Sequence, residues 1–195
     1  MSSQLYWEKQ QGNLQLYIIA PNSMMAILLG MAVGGMFATL LRAVTVTIFG
    51  TLVFSVKFEI VSYLQLFAVF TLTMIALYGM GMMMASAFLL FGREAWHIAN
   101  LAQEPIFLAS GFFFPIKFLP FWVAAGASLL PLTLGMDAMR QLVFSSETSI
   151  GFLDVATEIW ILAGLAVLFI VASKYLLAYV EKLAVREGRI TESRR

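Results

Sequence analysis

Cysteine is absent from the 195 residues, which excludes a disulfide framework, thiol nucleophiles and thiolate metal sites. Charge is scarce too: Asp, Glu, Lys and Arg make up 12% of the chain, against about a quarter in an ordinary soluble domain. The formal net charge of +1 is too small to point to a nucleic-acid partner. Histidine occurs once, as His97, and neither GxSxG nor HExxH is present, so a Ser-His-Asp triad or a zinc site lacks parts. The chain carries no GxxxxGK followed by Ser or Thr, and so no phosphate-binding loop of its own for ATP. No basic stretch followed by a short apolar core opens the sequence (Met1-Ser2-Ser3-Gln4-Leu5-Tyr6-Trp7-Glu8-Lys9). A cleavable signal peptide is therefore not visible, and the first span itself must direct insertion.

Apolar residues fill the space that charge leaves. They account for 61% of the chain, with a mean hydropathy of +0.89, and they arrive in runs longer than a bilayer needs. A polytopic, all-helical membrane protein fits that composition. Met1 to Ala20 mix Leu5, Tyr6, Trp7, Leu14, Leu16, Tyr17 and Ile18 with Glu8, Lys9, Gln10, Gln11, Asn13 and Gln15. That pattern predicts an amphipathic helix at a membrane surface, broken at Gly12 and ended by Pro21.

Four spans are expected, over about 24–56, 60–91, 98–114 and 150–177. The first is charge-free up to Arg42, and no Gly, Pro or Asn stands near Arg42 to turn the chain, so one long helix is predicted. Gly30 and Gly34 form a small-residue face that lets another helix approach closely. The second span has no charge, with Gly79-Met80-Gly81 as a candidate kink. The third carries Glu104 beside Pro105. The last carries Asp154 and Glu158 in its first two turns, where acidic groups suit the positive end of a helix.

Between the third and last spans, 118–130 and 132–144 are apolar pieces separated by Pro131. Each is too short to cross, so residues 116–146 are read as a re-entrant segment, with Gly111, Pro115, Pro120 and Pro131 as its breaks. Charge agrees. Four spans put Lys9, Arg93, Lys174, Lys182, Arg186, Arg189, Arg194 and Arg195 on one side, against Lys57, Lys117 and Arg140 on the other. The positive-inside rule then places both termini in the cytoplasm. The organisation is a cytoplasmic amphipathic helix over 1–21, a transmembrane domain over 22–178 and a basic cytoplasmic tail over 179–195.

Two stretches carry a family resemblance. Glu8-Lys9-Gln10-Gln11-Gly12-Asn13-Leu14-Gln15, running on to Ala20-Pro21-Asn22-Ser23, resembles the coupling segment of the ABC-2 type permeases, the membrane subunits of ATP-driven exporters. Ser110-Gly111-Phe112-Phe113-Phe114-Pro115, followed by Pro131-Leu132-Thr133 and Asp137-Ala138-Met139-Arg140, is similar to that family's serine-glycine-x-x-x-proline motif and its external re-entrant segment. The family's Thr and Glu in the coupling stretch are Asn13 and Gln15 here, and its Asn before the re-entrant proline is Leu130. Two spans that normally precede the coupling helix have no counterpart, which suggests a fragment, a split permease or a shortened form.

The resemblance implies an exporter of a hydrophobic or amphipathic substrate (drug, lipid or lipid-linked glycan) in the cytoplasmic membrane. ATP and Mg would be used by a separate ABC ATPase, with no cofactor or metal bound directly. Glu8, Lys9, Gly12, Leu14 and Gln15 would couple to that ATPase. Gly111, Phe113, Pro115, Pro131 and Arg140 would shape an external gate. A second permease chain and membrane lipids complete the expected partners.

Blander readings stand beside these. The N-terminal stretch is equally the pattern of a surface anchor. Arg42, whose burial in lipid costs at least about 2.5–3.5 kcal/mol, either lines the substrate path or makes a structural contact, with Glu104 as a candidate interhelix partner. Met80, Met82, Met83 and Met84 fit lipid-facing positions as well as an adaptable substrate surface. A non-transporting structural or assembly subunit is the alternative function. A membrane enzyme comes third, because Glu104, Asp154 and Glu158 form no recognisable carboxylate pair.

Overall fold

The computed structural model describes residues 11, 24–55, 58, 60–91, 93–144 and 151–187, and they are helical with no strand among them. The amphipathic N-terminal stretch and the end of the basic tail lie outside the described residues.

Helix α1, Met24–Phe54, runs unbroken through Arg42 for 31 residues, about 46 Å at 1.5 Å per residue and well beyond a bilayer core of about 30 Å. Its threonines return their hydroxyls to the preceding turn. Thr39 donates to the Gly35 carbonyl, Thr45 to Leu41, Thr47 to Ala43 and Thr51 to Thr47, each at 2.8 Å. No hydroxyl is then left to face hydrocarbon alone, so a threonine-bearing helix can stay apolar on the outside. Ser55 closes the helix with a left-handed φ of 52°.

Ser62 opens the next helix by accepting a 3.4 Å bond from the Gln65 backbone N–H, the N-cap expected of a serine three residues before a glutamine. Helix α2 follows over Tyr63–Phe91. Helix α3, Arg93–Ala109, contains Pro105, and a single 3₁₀ turn over Ile116–Phe118 starts after Pro115. Helix α4, Phe121–Ala127, begins behind Pro120. Helix α5, Pro131–Val143, has Pro131 in its first turn, where the missing N–H costs nothing. Helix α6, Val155–Glu187, is 33 residues long. Asp154 caps it, its Oδ2 accepting the Ala156 N–H at 3.1 Å and its carbonyl the Glu158 N–H at 3.0 Å.

Among the described residues, three helices are long and apolar enough to cross a membrane: Met25–Phe54, Tyr63–Ser86 and Val155–Val180. The third span, expected over 98–114, falls on a helix that is not among these three. The helix starts at Arg93 and stops at Ala109, because Gly111 turns the chain with a φ of +74°. Its 17 residues reach only about 26 Å, and Arg93, Glu94 and His97 occupy its first turns. The last span likewise starts at Val155 rather than 150, where Asp154 fixes the cap. The two apolar pieces on either side of Pro131 are helices α4 and α5, and they meet at 106° across a break of no more than four residues. That bend is the geometry of a broken span or a re-entrant loop, and it would bring the count of crossings to four at most.

The core lies among α2, α5 and α6, and α2 against α6 is the largest interface. Leu134, Ala138 and Leu142, one helical turn apart on α5, pack with Val69 of α2 and Leu162 of α6. Along α2 the buried positions among the described residues are Val69, Thr73, Ala76, Gly79, Met82, Ala85 and Ser86, a mostly small-residue face that permits close helix contact. Gly79 marks the approach. A Cβ there would stand 3.1 Å from the Phe169 Cβ and 3.2 Å from the Ile170 nitrogen, so the two glycines of Gly79-Met80-Gly81 sit in a continuous helix whose close contact falls at Gly79. Helix α1 touches the rest only lightly: Leu28 and Ala32 are buried, while Phe37, Leu41, Val46, Leu52 and Phe54 face outward.

Candidate functional site

Helix α5 holds the candidate site together through two sets of contacts. Arg140 reaches back across 29 residues, and its Nη2 donates to the Gly111 carbonyl at 3.0 Å. Gly111 occupies a conformation that L side chains rarely adopt, and a Cβ would also meet the Phe114 carbonyl oxygen at 3.1 Å and Ile116 Cγ1 at 3.3 Å. Glycine is therefore required both for its φ and for the space. The following aromatics cluster outside that turn. Phe112 stacks on Phe107 with ring centroids 5.3 Å apart and meets Phe113 edge-on at 5.2 Å, and Phe113 is exposed. Pro115 and Pro131 start the 3₁₀ turn and α5 respectively. Of Gly111, Phe113, Pro115, Pro131 and Arg140, the structure brings Arg140 and Gly111 into direct contact, while Phe113 and Pro115 lie along the turn after α3 and Pro131 opens α5.

The same helix also carries polar groups into the core. Thr133, Asp137 and Gln141 repeat every fourth residue, one above the other. Asp137 is 1% exposed, and Thr133 and Glu158 of α6 are fully buried. Gln141 bridges them: its Nε2 donates to the Leu153 carbonyl at 2.9 Å, to Asp137 Oδ2 at 3.3 Å and to Glu158 Oε2 at 3.4 Å. The Phe152 backbone N–H donates to the same Asp137 Oδ2 at 2.7 Å. Gly151 lies so close to the Gln141 amide that any Cβ would displace it, and Gly135 admits Thr73 of α2 in the same manner. This network ties α5 to the start of α6. Sequence reasoning treated Asp137 as a motif residue and Glu158 as a helix-end acid, and did not pair them or include Gln141. The signal was a polar residue every fourth position on an otherwise apolar helix.

The remaining candidates lie elsewhere. Arg42 and Glu104 are both exposed, and no ion pair joins them among the described residues. Gly30 and Gly34 have nothing within 4 Å of where a Cβ would stand, and the close approach on α1 falls at Gly35, against the Tyr78 hydroxyl of α2. A groove of about 230 Å³ beside that contact is lined by Thr39, Met74, Leu77, Tyr78 and Gly81. Glu8, Lys9, Gly12, Leu14 and Gln15 lie outside the described residues.

A family model described as ABC-2 type transporter matches residues 1–144. The chain belongs to that family. The match takes in the convergent turn, the bent pair and all of α5, and stops before α6, so the half of the buried network contributed by Glu158 lies beyond it. Membership makes this ABC-2 chain a multi-pass membrane transport component with no catalysis of its own. Neither a curated protein nor a solved structure matches it.

Proposed function

We propose that this ABC-2 chain is the permease subunit of an exporter that moves a hydrophobic or amphipathic substrate across the cytoplasmic membrane, powered by ATP hydrolysed on a separate ABC ATPase. The family match over residues 1–144 is the observation that carries this reading. The N-terminal stretch with Glu8, Lys9, Gly12, Leu14 and Gln15 docks on the ATPase, and both termini face the cytoplasm, in keeping with the excess of Lys and Arg in the segments assigned to that side. The bent pair α4–α5 enters and leaves the membrane from the outer side. Its Gly111–Arg140 contact forms part of an external gate, with Phe113 at its rim.

A second permease chain faces α1. The open Gly30–Gly34 face and the exposed Arg42 both favour this, since a charge at membrane depth needs protein or water beside it. Membrane lipids cover the rest of α1.

Affinity purification of the chain from native membranes in mild detergent, followed by mass spectrometry, tests the reading. An ABC ATPase in the eluate, lost on replacing Gly12 and Leu14, is the expected result. Absence of any ATPase under conditions that preserve a known ABC complex would refute the transport reading in favour of a motor-free structural subunit.

A further inference from the structure

The Asp137–Glu158 contact places two acids where water cannot reach them. Their carboxyl groups lie within hydrogen-bonding reach of each other, and both residues are buried. No cation is hydrogen-bonded to either acid among the described residues. Helix α2, packed against both α5 and α6, carries no charged side chain. On α5 the Arg140 guanidinium gives Nη2 to the Gly111 carbonyl while its Nη1 is buried without a partner, and the further charged group close to Glu158 is Asp154, another acid. Neutral donors are already directed at one oxygen of each acid: Phe152 N–H and the Gln141 amide at Asp137 Oδ2, and the same amide at Glu158 Oε2. The other two oxygens, Asp137 Oδ1 and Glu158 Oε1, are buried with no partner, as is Thr133 Oγ1 one turn along the same face. Two like charges so placed repel strongly, and buried acceptors without a donor cost free energy that the core must supply.

We propose that Asp137 and Glu158 form a proton-binding site, with one proton held between the two carboxyl groups and carried by Glu158, fastening the bent helix pair to the last helix. A single added proton makes Glu158 an O–H donor to Asp137 and removes the repulsion between the two acids. The assignment of the proton to Glu158 follows from the donors. Asp137 Oδ2 already accepts the short 2.7 Å backbone bond, whereas Glu158 accepts only the long shared amide contact, so Glu158 is the acid with fewer donors of its own. The site is distinct from ATP-driven transport and does not depend on the permease reading.

Infrared spectroscopy of the full chain in nanodiscs at neutral pH tests it directly. The protein should show the carbonyl stretch of about one protonated carboxylic acid, sensitive to exchange into heavy water, and the band should disappear in Glu158→Gln. Labelling the unaltered chain with ¹³C-carboxyl glutamate should shift the band, which needs no substitution to fold. Because Gln mimics the protonated acid, E158Q should leave maleimide labelling of a cysteine at Leu134, a buried position on α5, within about twofold of its parent, whereas an ionised Glu158 facing Asp137 predicts a fall of about tenfold or more when the repulsion is removed. No protonated-acid band in the unaltered chain, a band that moves with labelled aspartate instead, or a tenfold fall in E158Q labelling would each overturn the proposal.

Discussion

Arg140 offers the sharpest test of how the bent pair is held. Its bond to the Gly111 carbonyl spans 29 residues, so it fixes the turn after α3 against α5 rather than stabilising either locally. Hydrogen bonds involving a charged partner contribute about 1.5–3 kcal/mol. The side chain is half-buried, so the lower half of that range applies. Each 1.4 kcal/mol is about a factor of ten in an equilibrium constant, and Arg140→Ala should therefore raise local opening of the Ser110–Gly111 turn by roughly ten- to fortyfold.

The chain's lack of cysteine makes the measurement clean. Ser110 is fully buried, and a Ser110→Cys probe reacts with maleimide only when the turn opens. The labelling rate should then rise by that factor in the Arg140→Ala background. Arg140→Lys should fall between, since an ammonium keeps the charge but not the planar guanidinium geometry. Equal rates for the Arg140→Ala variant and its parent would show that the contact does not restrain the turn, and the gate built on it would fail with it.

Three further outcomes follow from packing and capping. Gly135→Ala should lower the thermal unfolding midpoint through a loss of about 1–3 kcal/mol. Thr73→Ala should restore only part of that, because the Thr73 Cβ itself would remain 2.9 Å from the new methyl. Gly79→Val should split α2 from α6 more severely than Gly79→Ala, seen as a larger drop in midpoint, since the obstructing atoms include the backbone of Phe169 and Ile170; equal effects of the two would contradict the close approach. Asp154→Ala should cost about 1 kcal/mol by removing the α6 cap, while Asp154→Asn should cost much less, as measured by denaturant or thermal melts.

The hydrophobic runs, the scarcity of charge and the prolines determined by themselves that this is a helical membrane protein with a broken segment before its last span. Those signals are local: a run of apolar residues must leave water, and Pro115, Pro120 and Pro131 interrupt a helix wherever it packs. The family was also legible, because Ser110-Gly111 through Pro115 and Pro131 through Arg140 keep their spacing along the chain. Helix ends were harder. Ala109 and Val155 became boundaries through the positive φ of Gly111 and the cap supplied by Asp154, which hydropathy does not register.

Partnership was decided only by the tertiary structure. Glycines at Gly30, Gly34, Gly35, Gly79 and Gly135 look alike in sequence, yet Gly35, Gly79 and Gly135 meet another helix within the chain while Gly30 and Gly34 do not. Arg42 and Glu104 have the opposite charges of a pair and remain apart. Asp137 and Glu158 have the same charge and come together, because α5 packs against α6 with Gln141 bridging the two. Whether two side chains meet depends on the angles between helices, and those angles are set by long-range packing that no local pattern encodes.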